Sequence, residues 1–158
     1  MNLTTLFRLK ENLNLDKKTL VILRWIAITG QFLAISIVYY ILKFDFPLIT
    51  SLGIILIGLI TNLYLQFIVK AARLKDLYAS FFLIYDLIQL SLLLYLTGGI
   101  SNPFSILLII PTIVSSTFLS MGTTIVLGSL TLIFLFILTI FHYPLPGIHE
   151  NSFTFPKY

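Results

Sequence analysis

Cysteine is absent from the 158 residues. Disulfides, thiolate metal sites and a thiol redox switch within this chain are thereby excluded. Charge is almost as scarce. Asp, Glu, Lys and Arg make up 10% of the sequence, where a soluble domain carries about 25%. So few charges cannot solvate a globule of this size. What takes their place is apolar: 58% of the residues are hydrophobic, which makes lipid the main solvent. The net charge of +4 does not point to nucleic acid. The basic residues cluster beside apolar segments, and no basic stripe with interleaved aromatics appears. No metal is expected either. His142 and His149 have no metal-ligand spacing between them, and the "HE" at His149 and Glu150 runs into "NSFTFP". That fits neither a zincin HExxH nor a phospho-accepting histidine box, so the chain carries no catalytic module of its own.

A helix needs ~20 apolar residues to cross the hydrocarbon core. Five segments qualify: 20–42, 48–69, 77–96, 104–120 and 123–141. The expected fold is all-α, a polytopic membrane protein whose bundle of five transmembrane helices occupies residues 20–142. Short connections make successive helices antiparallel neighbours. The 104–120 segment is the shortest, which calls for little tilt or a thinned bilayer. Residues 1–19 are not a signal peptide, because the apolar run comes too late, is too long and lacks a small-residue cleavage site. Two readings of that segment stand. It is an amphipathic helix with Leu3, Leu6, Phe7 and Leu13 in lipid and Arg8, Lys10 and Lys17 at the headgroups, or it is a disordered tail.

Lys and Arg set the orientation. The N-terminal segment carries Arg8, Lys10, Lys17 and Lys18, and the connection after the second span carries Lys70, Arg73 and Lys75. "KFDFP" has only Lys43, and "GGISNPF" has no basic residue. The N-terminus and "KAARLKD" are therefore expected in the cytoplasm, with "GGISNPF" and a tail of residues 143–158 outside.

Polar residues inside the bilayer are costly and therefore informative. Asp86 stands near the middle of the third span, with Tyr85 and Gln89 on the same side of the helix. Gly58, Asn62 and Gln66 form a stripe on the second span, and Arg24, Thr29 and Gln31 lie on the first. Asn62, Gln66 and Gln89 suit hydrogen bonding between helices. Asp86 has three ways to exist there: protonated, paired with Arg24 or a lysine, or open to a polar cavity. Asp86, Gln89 and Asn62 are thus a candidate intramembrane polar site. In the fourth span, Pro111 is expected to kink the helix, with Ser115, Ser116 and Thr117 relieving the freed carbonyls. Thr124, Gly128 and Thr131 give the fifth span a small-residue face for close packing.

"YLTGGISNPF", residues 95–104, breaks the apolar pattern. Much of it is helix punctuation. Gly98 and Gly99 suit a left-handed helix end, and Asn102 with Pro103 suits the cap and first turn of the next helix. Punctuation explains neither Phe104 nor the second glycine. The same atoms also suit a quinone headgroup, with a donor at Asn102, flat faces at Phe104 and Tyr95, and an opening to lipid for the tail.

Gly98, Gly99, Asn102, Pro103 and Phe104 resemble the GGxxNPF heptapeptide of the RegB/PrrB/ActS group of redox-sensing histidine kinases. "YDLIQLSLLLYLTGG", "LRWIAITGQ" and "PLPG" are similar to that group as well. The resemblance implies a six-span sensor domain in the bacterial inner membrane followed by a cytoplasmic kinase core. It implies that the heptapeptide residues bind ubiquinone or a related quinone, whose redox state controls autophosphorylation. It further implies a homodimer and phosphotransfer to a response regulator. The kinase core and the family's cytoplasmic redox cysteine have no counterpart in these residues. The expectation is that a sixth span and the core are encoded beyond Tyr158. The competing reading is a small transporter or membrane-complex subunit, with Asp86 and the polar faces lining a path.

Overall fold

The computed structural model describes residues 15–41 and 46–142. Each apolar segment forms a helix. α1 is Lys17–Ser36, extended by a wider π turn over Ile37–Ile41. α2 is Leu48–Leu63, extended in the same way over Tyr64–Ile68. α3 is Asp76–Leu96, α4 is Pro103–Phe118 and α5 is Met121–Ile140. Four of them (α1, α2, α3 and α5) are long and apolar enough to cross a membrane, and α4 is shorter. The N-terminal residues 1–14, residues 42–45 of the first connection and the tail 143–158 lie outside the described residues. So do the expectations attached to them.

α3 is the central helix: half of its apolar window is buried, against 17% for α5. Leu83, Leu87, Leu90 and Leu94 recur at turn spacing along it and pack with Leu20, Leu108, Leu127 and Leu138 from three other helices. The outer faces are equally apolar. Ile49 is 87% exposed and Phe67 73%, an arrangement that water would penalise and lipid tails satisfy.

α4 corrects the expectation of a kinked α-helix. Its first 7 residues, Pro103–Ile109, are 3-10 helix, and the next 9, Ile110–Phe118, are α-helix. Pro111 falls in the first turn of the α part, where a missing N–H costs little. The Leu107 carbonyl, four residues before the proline, takes the Ile110 N–H instead. The hydroxyls of Ser116 and Thr117 do not serve the proline; both go to the Ile113 carbonyl. The change of helix type also solves the length problem. A 3-10 helix rises ~2.0 Å per residue against ~1.5 Å in an α-helix, so α4 reaches about 27.5 Å rather than about 24 Å. That approaches the ~30 Å hydrocarbon core.

The small face of α5 meets α4 as expected. Thr131 Oγ1 lies 3.0 Å from Thr112 Oγ1, and Thr124 Oγ1 lies 3.2 Å from Ser115 Oγ.

One end of the bundle is tied by backbone. Leu15–Asp16 (β1) pairs antiparallel with Arg73–Leu74 (β2), a two-residue β contact that the helical pattern does not announce. Lys17 Nζ donates to the carbonyls of Gln66 (3.2 Å) and Val69 (2.7 Å), which closes the end of α2. Residues 15–17, the connection after α2 and the α4–α5 turn share this end. "GGISNPF" and His142 share the other.

Candidate ligand cleft and polar seam

α3 stops at Leu96, and the chain turns through Gly98 (φ 101) and Gly99 (φ 59), a region of backbone space that favours glycine. Gly99 has a second reason to lack a side chain. A Cβ there would stand 2.5 Å from His142 Cβ and 2.7 Å from the Leu138 carbonyl oxygen. Packing against α5 therefore accounts for the second glycine. Asn102 caps α4, its Oδ1 accepting the Phe104 N–H at 2.9 Å. Its Nδ2 donates to the Thr97 carbonyl (3.1 Å) and Thr97 Oγ1 (2.8 Å), joining the end of α3 to the start of α4. Asn102 is buried, Phe104 half-buried and Pro103 exposed. The five motif residues lie together in one turn, and the Asn102 amide is engaged in holding it.

A polar seam fastens α1 to α2 and α3. Arg24 is 3% exposed. Its Nε donates to Asp86 Oδ1 at 3.0 Å, and its Nη2 lies 2.9 Å from the same oxygen. Nη2 also donates to Thr61 Oγ1 at 2.8 Å. The guanidinium carbon stands 5.3 Å from the centroid of Phe82 and 5.5 Å from that of Tyr85. A cation held in lipid thus meets a carboxylate, a hydroxyl and two aromatic faces. Of the three states open to Asp86, the pair with Arg24 is the one found. Gln89 Nε2 donates to Gln31 Oε1 (3.0 Å), Trp25 Nε1 to Gln66 Oε1 (3.1 Å), and Asn62 Nδ2 more weakly to the Val21 carbonyl (3.5 Å). Gly58 leaves room for this seam, since a Cβ there would overlap the Gln89 amide.

A cleft of about 230 Å³ opens between α1, α3 and α4, lined among others by Arg24, Ala27, Gly30, Gln31, Asp86 and Pro111. A void of about 30 Å³ lies beside Thr97, Asn102 and Phe104. Both are lined by Gln31, Leu90 and Leu107, so the cleft runs from the ion pair toward the heptapeptide turn. Two side-chain donors of residues that line it have no acceptor among the described residues, and one of them, Arg24 Nη1, is itself buried. The other is Gln31 Nε2, since the bond to Gln89 uses the oxygen of Gln31 and leaves its nitrogen. Among the described residues no three His, Asp or Glu side chains gather as a metal site.

Sequence reasoning missed Trp25, Thr61 and Asp76. Asp76 Oδ1 accepts the Ser120 N–H (2.8 Å), and Oδ2 accepts the hydroxyls of Ser120 (2.9 Å) and Thr123. An acid in the first turn of a helix reads locally as a partner for its own dipole. Nothing nearby in sequence says that it holds the start of α5.

A family model of the PilS-like transmembrane domain matches residues 20–155. The chain belongs to that family. This PilS-like domain is also 34% identical over 141 residues to the sensor histidine kinase RegB of Cereibacter sphaeroides. The alignment takes in 89% of this chain and 30% of RegB, so the chain spans under a third of the relative it matches. No solved structure matches. The PilS-like domain is thus a multi-pass membrane domain of the sensor-kinase type, in keeping with the resemblance carried by GGISNPF. The transporter reading gains nothing from either comparison.

Proposed function

We propose that this PilS-like domain is the sensing region of a quinone-responsive histidine kinase of the bacterial inner membrane. The observation that supports it is the cleft lined by Gln31, whose Nε2 lacks an acceptor, reaching toward the turn built by Gly98, Gly99, Asn102, Pro103 and Phe104. Quinone carbonyls only accept hydrogen bonds, whereas quinol hydroxyls also donate. Gln31 Nε2, which lacks an acceptor, therefore favours the oxidised form. Differential affinity of this kind shifts a conformational equilibrium. Ala27 and Gly30 leave the α1 wall low, and Pro111 lines the cleft at the point where α4 changes from 3-10 to α. A ring seated there biases that junction. Converting the 7 residues of the 3-10 part to α-helix shortens α4 by about 3.5 Å, a displacement that a kinase core can read. The N-terminus and the 69–75 connection lie in the cytoplasm by their Lys and Arg content. The kinase core, its homodimer and its response regulator belong to this proposal as well.

Binding of a water-soluble quinone analogue tests the reading, followed by quenching of Trp25, the single tryptophan. Gln31→Leu and Phe104→Ala should each weaken binding, by about threefold to thirtyfold if one contact of 0.6–2 kcal/mol is lost. Asn102→Ala also removes a helix cap worth ~1 kcal/mol, so it is measured alongside helix content. Affinity equal to the parent in both Gln31→Leu and Phe104→Ala would reduce the motif to a turn.

A further inference from the structure

A second cavity lies apart from the cleft, beyond Arg24, between the end of α2 and the start of α3. It is a half-open groove of about 530 Å³, within the ~300–1,000 Å³ of typical ligand sites. One wall is an aromatic stripe on α3: Tyr78, Phe81, Phe82 and Tyr85 line it and fall on one helix face. Tyr64, on the wide turn ending α2, also lines it. Tyr78 and Phe81 are each 62% exposed, so the protein covers this wall only in part. Arg73 and Lys75 line the cavity from the connection, and no acidic residue does. Among the described residues neither cation pairs with a carboxylate. Asp16 stands opposite Arg73 in the β1–β2 pair without forming an ion pair, and Asp76 has its oxygens engaged by Ser120 and Thr123.

The cavity therefore joins two cations to a broad aromatic body at one end of the bundle. A free phosphate would have no use for the aromatic wall, and an uncharged quinone could accept hydrogen bonds from the two cations but would leave their charge uncompensated. An anionic phospholipid uses both. We propose that this cavity binds one anionic phospholipid, with its phosphodiester at Arg73 and Lys75 and an acyl chain along Tyr78, Phe81 and Tyr85. The lipid also packs behind the ion pair, because Thr61, Phe82 and Tyr85 line the cavity and contact Arg24. The site is independent of the quinone reading.

Native mass spectrometry of the detergent-solubilised protein with equimolar phosphatidylglycerol and phosphatidylcholine tests it. The parent should retain phosphatidylglycerol about tenfold or more over phosphatidylcholine. Arg73→Gln and Lys75→Gln should each lower that preference about fivefold, and the double variant should abolish it at unchanged helix content. Both side chains are exposed, so neither substitution disturbs the core. Tyr78→Ala should lower retention of both lipids. Equal retention of the two lipids by the parent overturns the proposal, as does a preference that survives in the double variant. Displacement of phosphatidylglycerol by inorganic phosphate at equal concentration overturns it in favour of a simple anion site. Displacement by the quinone analogue overturns it in favour of a quinone site.

Discussion

Gly99 and His142 lie in direct contact across the α3–α4 turn and the end of α5, so close that a β-carbon on Gly99 would stand 2.5 Å from that of His142. The heptapeptide is thereby a joint between two connections and not only a helix stop. Gly99→Ala adds this overlap to a left-handed backbone (φ 59) and should cost ~1–3 kcal/mol. Gly122→Ala is the control, since a Cβ there meets only Ser120 Oγ at 3.9 Å. Thermal unfolding followed by circular dichroism compares the two. Equal midpoints would mean that Gly99 does not carry the joint.

Arg24 and Asp86 should show strong coupling. Arg24→Met or Asp86→Leu alone leaves an uncompensated charge in an apolar surround, at ~3–5 kcal/mol. The double variant removes both charges and should cost clearly less than the sum. A double-mutant cycle reads the difference directly. Additive costs would show that the two side chains do not pair.

Asp76 holds the start of α5 through the backbone and hydroxyl of Ser120 and the hydroxyl of Thr123. Asp76→Ala should cost ~1.5–3 kcal/mol at most, the range for hydrogen bonds to a charged group, since the donors are only part-buried. Asp76→Asn keeps one accepting oxygen and should cost less. Hydrogen exchange at the Ser120 amide is the sharper readout, and it should accelerate in Asp76→Ala and less or not at all in Asp76→Asn. An unchanged rate in Asp76→Ala would place the restraint elsewhere.

Absence of cysteine makes the chain a clean background for topology. Ala71 and Ser101 are both exposed, at opposite ends of the bundle. Single cysteines at these positions should label from opposite sides, Ser101→Cys from outside with an impermeant reagent. Labelling of Ala71→Cys from outside would reverse the orientation drawn from Lys and Arg.

The sequence by itself determined the all-helical membrane class, the five helical segments and the caps at Asn102 and Pro103. Span length and cap chemistry are properties of contiguous residues, so they are legible in one dimension. It also named most of the seam, because a polar side chain in lipid stands out whatever it touches. Arg24 was one of the partners it offered Asp86, but the remaining partners were not legible, nor was the choice among the three states of that acid. Arg24 meets Thr61 and Asp86 at separations of 37 and 62 residues, and Ser120 meets Asp76 at 44. Nor was the 3-10 form of α4, the β pair at Leu15–Asp16, or the contact that requires Gly99. The physical reason lies in the solvent. In water, a polar face tells which side of a helix points outward. In lipid, inner and outer faces are both apolar, so the hydrophobic pattern does not set how each helix is rotated about its axis. Only a few polar and small side chains break that degeneracy, and they do so in pairs that exist once the helices are packed.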